Sequence, residues 1–229
     1  MSDGASGTTA GMTRIRVWDP WVRLVHWSLV GLVALSWWTA ETGRMALHIT
    51  SGLIILALVV FRILWGLVGS ENARFAHFLR SPKLALAHLR AWREREPDHE
   101  TTHNAAGGWM VIAILGLLLI QAVTGLFSKD EVLARGPLAR RVSDGVSDLL
   151  SDVHGATFNL VLAVVALHVV AVVAYRVLKG QDLVRPMITG IKRLPAAYAA
   201  SAPRLAPAWL GAVLLALAAA LSVWVSRLG

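Results

Sequence analysis

Four histidines of this 229-residue chain lie inside or at the edge of charge-free apolar runs: His26, His48, His154 and His168. His154 and His168 are fourteen residues apart on one such run. If that run is a helix, the spacing is an advance of about 21 Å with a return to within roughly 40° of the same face. Two like ligands then point one way at two depths. His26 and His48 sit on separate runs, and each can supply an opposing imidazole at one of those depths. Facing imidazoles in a helical bundle hold a haem iron through its two axial positions, and no carboxylate accompanies these histidines to suggest a bare metal site. The chemistry implied is one-electron transfer at two haems, one above the other.

The elements that must position such ligands are membrane helices. The chain is 56% hydrophobic and 16% charged, a balance that fits an integral membrane protein and not a soluble core. The apolar residues fall in five blocks, roughly 23–40, 46–69, 107–127, 154–178 and 206–226, and the third and fifth carry no Asp, Glu, Lys or Arg. A run of about 20 apolar residues crosses a bilayer as a helix. Strand-like alternation is absent, and backbone groups in lipid must be satisfied within their own segment. The fold expected is therefore an all-α integral membrane bundle. Eight tryptophans (Trp21, Trp27, Trp37, Trp38, Trp65, Trp109, Trp209 and Trp224) lie near the expected span ends, where interfacial anchoring places them.

Charge sets the orientation. With the N-terminus inside, the cytoplasmic side collects sixteen of the twenty-two Lys and Arg, which places the C-terminus of a five-span chain outside. The net charge of +8 follows from this asymmetry and from attraction to anionic lipid, without any nucleic-acid partner. Topology then gives each histidine a depth. His26 pairs with His168 on the inner side, and His48 with His154 on the outer side; no other pairing joins residues at matching depth. A lone histidine in a span can simply hydrogen-bond a neighbouring helix, but ionisable groups in spans are rare and mostly functional.

Several other residues enter as candidates. Arg62 lies fourteen residues after His48, on a similar face at the inner depth. It is expected to pair with a propionate of the inner haem, the alternative being snorkelling to the head groups. His103, beside Asn104 at the mouth of the third span, is a candidate for a propionate or a quinone head group, with Gln121 and Thr124 as further quinone candidates. His77, His88 and His99 lie in the polar loop 70–106 and read as solvated surface. Gly31, Gly52 and Gly155 stand near the ligands and would let a flat macrocycle approach the backbone. Asp144, Asp148 and Asp152 recur every four residues beside an apolar side formed by Leu138, Val142, Val146, Leu149 and Val153. Segment 138–153 is thus expected to be an amphipathic helix on the outer surface, with an acidic stripe suited to a basic partner or to solvent alone. Residues 1–13 read as a disordered tail. No cysteine is present, so disulfides, iron–sulfur clusters, thiolate sites and covalent haem attachment are all excluded.

The motifs in order carry a resemblance. Val17-Trp18-Asp19-Pro20 is followed by Arg23-x-x-His26-Trp27, Leu47-His48 with Gly52, and Phe61-Arg62-x-Leu64-Trp65-Gly66. Then come His103-Asn104-x-x-Gly107, Gln121-Ala122-x-Thr124-Gly125-Leu126-Phe127, His154 with His168, and Asp182-Leu183-Val184-Arg185-x-Met187-x-Thr189-Gly190. Over residues 14–193 this set resembles the prokaryotic cytochrome b561 family, which includes the cytochrome b subunits of nickel–iron hydrogenases. The resemblance implies a four-helix core with two non-covalent b-type haems that passes electrons between membrane quinone and a redox partner. It places the haem ligands at His26, His48, His154 and His168. Residues 194–229, a linker and the fifth span, lie beyond that core and are expected to serve docking or assembly.

The function expected is electron transfer across the bacterial inner membrane. Its outer partner would be a periplasmic c-type cytochrome, a hydrogenase or superoxide, and a homodimer is one possible assembly. The alternative class is a helical transporter using intramembrane histidines as a proton relay without haem. Against it, no repeat with broken spans is evident, and the spans hold no acidic residues.

Overall fold

A computed structural model describes residues 11–90, 100–129, 134–197 and 202–228. The described chain is mainly helical, with five long helices: α1 (Pro20–Glu41), α2 (Met45–Val68), α5 (Ala105–Phe127), α6 (Asp144–Lys179) and α8 (Ala208–Ser226). Three short ones, α3 (Phe75–Phe78), α4 (Pro82–Arg90) and α7 (Val184–Thr189), lie in the connections. Two strands, β1 (Met12–Arg16) and β2 (Ile191–Pro195), pair antiparallel with Arg14 opposite Arg193.

Asp19 shows how a short motif starts the bundle. Its carboxylate accepts from Val22 N at 2.9 Å and caps α1, while Pro20 takes the first helical position, where no N–H is needed. The other carboxylate oxygen accepts from Trp65 Nε1 at 3.1 Å, so the same residue ties the start of α1 to the end of α2. Between them the chain reverses at Thr42–Arg44, where Gly43 adopts a φ of 68° that favours glycine. Asn104 caps α5 by accepting from Gly107 N at 2.8 Å. Gly180, in the left-handed region, ends α6.

The long helices alternate in direction. At one end, the sheet end, Val17 N donates to Gly190 O, and Glu71 and Arg204 exchange bonds between the α2 exit and the α8 approach. At the other, far end, Arg141 Nε donates at 2.8 Å to Leu228 O, just past α8. The two ends of the described chain therefore lie at opposite ends of the bundle. In packing, α1 lies on α2, α2 on α5, and α5 on α6, while α8 lies against α2 outside that group. Ser222 in α8 donates to Leu53 O at 2.7 Å, and Gly211 gives the room that the Trp21 indole fills. One buried cluster joins α1, α2 and α8 through Val25, Phe61, Trp65 and Ala218. A second, around Ile55, Val59, Leu118 and Val161, joins α2, α5 and α6.

Four helices, α2, α5, α6 and α8, are long and apolar enough to cross a membrane. α1 has the length, 22 residues, but it carries Arg23, His26, Glu41 and four tryptophans, so the first expected span, 23–40, is not among them on composition. It nevertheless lies beside the apolar length of α6. His26 meets His168 at one level, and Trp37 meets Phe158 toward the far end with ring centroids 6.4 Å apart.

Three expectations are corrected. The sheet was not foreseen: its five-residue strands lie far apart in sequence and show no sustained alternation. β1 also starts inside the expected tail, whose first ten residues lie outside the described ones. Segment 138–153 is not a separate surface helix: a single turn at Ala139–Arg141 precedes α6, which runs unbroken from Asp144 through His154. At 36 residues α6 is about 54 Å long, so its first turns project beyond a ~30 Å hydrocarbon layer. Trp65 is no interfacial anchor either; it is fully buried and bonded to Asp19.

Candidate functional site: two histidine pairs

α6 presents His154 and His168 toward α1 and α2, and each meets the partner that the topology argument assigned. His26 of α1 faces His168 with ring centroids 6.5 Å apart at 63°; His48 of α2 faces His154 at 6.1 Å and 87°. Val161, midway between the two α6 histidines, is buried with Ile55, Val59 and Leu118, which puts a packed apolar layer between the pairs.

The far-end pair is held by its neighbours. His48 Nδ1 donates to Ser36 O at 2.9 Å, with Ser36 Oγ at 3.2 Å. His154 Nδ1 donates to Gln121 O at 2.9 Å, with Thr124 Oγ1 at 3.3 Å, and the Gln121 amide nitrogen donates to Nε2 at 3.1 Å. Gly125 lets this ring come close: a Cβ there would stand 2.9 Å from His154 Cε1. Gln121 and Thr124, candidates for a quinone on sequence, are thus placed against His154. Their signal in the sequence was a pair of polar side chains three residues apart within a charge-free span, with Gly125 adjoining.

The sheet-end pair has different company. His26 stands edge-on to Trp27 at 4.9 Å, and its buried Nδ1 has no partner among the described residues. Arg62 is buried nearby; its Nη1 donates to Ala73 O at 3.2 Å, and its guanidinium lies over the Phe75 ring at 5.4 Å. That position fits buried use better than snorkelling. His103 lies between Trp18 and Phe78, tilted to both with ring centroids 4.6 and 4.7 Å away, and its Nδ1 is buried and unpartnered among the described residues. Burial, then the Arg62 cation, lowers its pKa to about 3, which leaves the ring neutral at physiological pH.

The weaker candidates stay apart from the pairs. His88 Nε2 meets the Tyr175 hydroxyl at 2.8 Å, and His77 stands 3.8 Å from Glu71, while His99 lies outside the described residues. Of the acidic stripe, Asp144 and Asp148 pair with Lys129 Nζ at 3.1 and 3.0 Å, which partly neutralises it. Among the described residues no cluster of three or more His, Cys, Asp or Glu could hold a bare metal ion. A Cβ added at Gly31, Gly52 or Gly155 would meet nothing within 4 Å, so no protein atom crowds these three positions.

No curated protein and no solved structure matches the chain. The family model for prokaryotic cytochrome b561 does match, over residues 17–190, a stretch that contains both histidine pairs. The chain belongs to the prokaryotic cytochrome b561 family and is a membrane b-type cytochrome of electron transfer.

Proposed function

We propose that the protein is a dihaem cytochrome that carries electrons across the bacterial inner membrane between the quinone pool and a redox partner at the outer face. One observation carries this reading: two facing imidazole pairs, with centroids 6.5 and 6.1 Å apart, at two levels of α6. An imidazole nitrogen binds a metal at about 2.0 Å, so two axial rings on one iron have centroids about 6 Å apart. Gly31, Gly52 and Gly155, uncrowded by protein atoms, would let a flat macrocycle approach the backbone.

His26 and His168 would hold one b haem and His48 and His154 the other, while Arg62 offers a cation to a propionate at the sheet end. A bound haem would supply one-electron oxidation and reduction. The chain's own residues fix the ligands. Nδ1–H bonds to Ser36 O and Gln121 O orient His48 and His154 so that Nε2 remains the ligating atom, and they raise its basicity. With Nε2 as the ligating atom, the Gln121 amide, 3.1 Å from it, would have to give up that bond. The layer of Ile55, Val59, Leu118 and Val161 excludes water between the levels.

The basic residues crowd the sheet end, which supports that end as cytoplasmic and the far end as periplasmic, with α1 as the first of five spans. A periplasmic c-type cytochrome, a hydrogenase or superoxide would meet the far-end haem. The test is a pyridine haemochrome assay on the purified protein. Two b haems per chain are expected, with one lost in His168→Ala and one in His154→Ala; a chain without a Soret band despite ample haem supply would refute the reading.

A further inference from the structure

The short helix α4 exposes more apolar surface than the protein covers. Of its residues only Ala85 is buried, with His88 half-buried beside it, while Leu84, Leu86 and Leu89 are 56, 49 and 57% exposed. At about 100° per residue the three leucines and Ala85 share one broad arc, and Lys83 and Arg90, seven residues apart, share the opposite side. Residues 79–90 contain no Asp or Glu, and Arg80, Lys83 and Arg90 pair with no carboxylate among the described residues. Two hydrogen bonds fix where the helix lies. Trp109 Nε1 donates to Arg80 O at 3.0 Å, just before α4. Near the other end, His88 Nε2 meets the Tyr175 hydroxyl at 2.8 Å, and that hydroxyl accepts from Asn104 Nδ2 at 2.6 Å. Trp109 stands four residues after the start of α5 and Tyr175 four residues before the end of α6, about 6 Å in each case. α4 therefore lies across two membrane spans at one depth, that of their sheet-end termini, and its anchors are the aromatic types that mark a membrane boundary.

We infer that α4 is an interfacial helix seated on anionic phospholipid: its leucines enter the acyl boundary beside the bundle, and Lys83 and Arg90, with Arg80 before them, meet head-group phosphates. An amphipathic helix with a basic polar side takes this position at a membrane surface. Nine residues are too few for a helix that is stable by itself in water, so α4 depends on what covers its apolar arc. Ala85 on the bundle covers only part of that arc. Each cation held near an anionic surface strengthens binding roughly fivefold. A soluble protein can offer acidic groups to the same cations, but not an apolar layer at the depth of the span ends.

The chain has no cysteine, so a single one at Leu86 or Ala87 takes a fluorophore cleanly. The protein is reconstituted in phosphatidylcholine vesicles that hold tail-brominated phosphatidylcholine or, in equal amount, tail-brominated phosphatidylglycerol. Bromine is expected to quench the label of Leu86→Cys more than that of Ala87→Cys, which lies toward the cations. Brominated phosphatidylglycerol should quench it more than its choline counterpart, and this preference should fall by up to about fivefold in Lys83→Gln or Arg90→Gln. Leu89→Cys, on the same flank as Leu86, repeats the reading independently, and circular dichroism checks that helix content is unchanged. Quenching by neither lipid at both leucine positions overturns the interfacial seat in favour of a protein cover. Equal quenching by the two lipids overturns the anionic partner, and an unaltered preference in both glutamine variants overturns the role of the cations. The readout does not pass through haem, so its failure leaves the dihaem reading standing.

Discussion

The two histidine pairs are built from the same residues at the same spacing on α6, yet the protein treats them differently. At the far end both rings donate through Nδ1 to a backbone carbonyl, and α5 adds Gln121, Thr124 and the close approach at Gly125. At the sheet end His26 Nδ1 has no such partner among the described residues, and its surroundings are aromatic and cationic: Trp27, His103 and the buried Arg62. The far-end ligands are oriented by the polypeptide itself, whereas the sheet-end pair leans on what binds there. A ligand set can thus be symmetric in sequence while its control is not.

The sharpest way to break this contrast acts through Gly125. A side chain there meets His154 Cε1 at 2.9 Å, so Gly125→Leu must push the ring off its bonds to Gln121 and Thr124. The expected outcome is loss of the far-end haem alone, read as a halved haemochrome yield with His26 and His168 still ligating. Loss of both haems, or of neither, would mean that the far-end pair is not separately held.

A smaller effect should appear in the potentials. A ligand that donates through Nδ1 to a carbonyl is more basic and favours the oxidised iron, and a buried cation such as Arg62 favours the reduced one. The far-end haem should therefore titrate below the sheet-end haem. Thr124→Val weakens the acceptor set around His154 Nδ1, and a hydrogen bond worth about 0.5–1 kcal/mol corresponds to a rise of roughly 20–40 mV at the far-end haem. Arg62→Leu should lower the sheet-end haem and leave the other in place. A redox titration followed in the visible band resolves both shifts; an unchanged sheet-end potential in Arg62→Leu would remove Arg62 from the site.

What the sequence made legible was set by long-range regularities, namely apolar run length, the fourteen-residue spacing and the bias of basic residues. These placed the bundle, and they paired His26 with His168 and His48 with His154 before any contact was seen. What it hid depended on single contacts between distant residues. The Asp19–Trp65 bond joins residues 46 apart, and β1 meets β2 across nearly the whole chain. Neither leaves a periodic trace. The acidic stripe misled for a related reason: its amphipathic pattern is real, but nothing between Val153 and His154 breaks the helix. The seat of α4 needed Trp109 and Tyr175 in place, and no pattern in residues 80–90 announces those contacts.

The smallest effect concerns α8, which is tied at both ends of the bundle but by different chemistry. At the far end Arg141 donates to the Leu228 carbonyl, a bond without a titrating acceptor. At the sheet end the half-buried Glu71 carboxylate accepts from Arg204 N at 2.9 Å, and that bond lowers its pKa below the ordinary 4.5. A carboxylate with a depressed folded pKa adds stability that is complete above its unfolded value and fades as pH falls through the folded one. Below pH 4.5 the sheet-end tie should therefore loosen first. Hydrogen exchange of residues 202–207 should quicken in acid and in Glu71→Gln at neutral pH, while the Arg227–Leu228 amides at the far end hold steady. Equal quickening at both ends would show that α8 leaves α2 as one body, held by Ser222 and the Trp21 contact at Gly211 and not by its end ties.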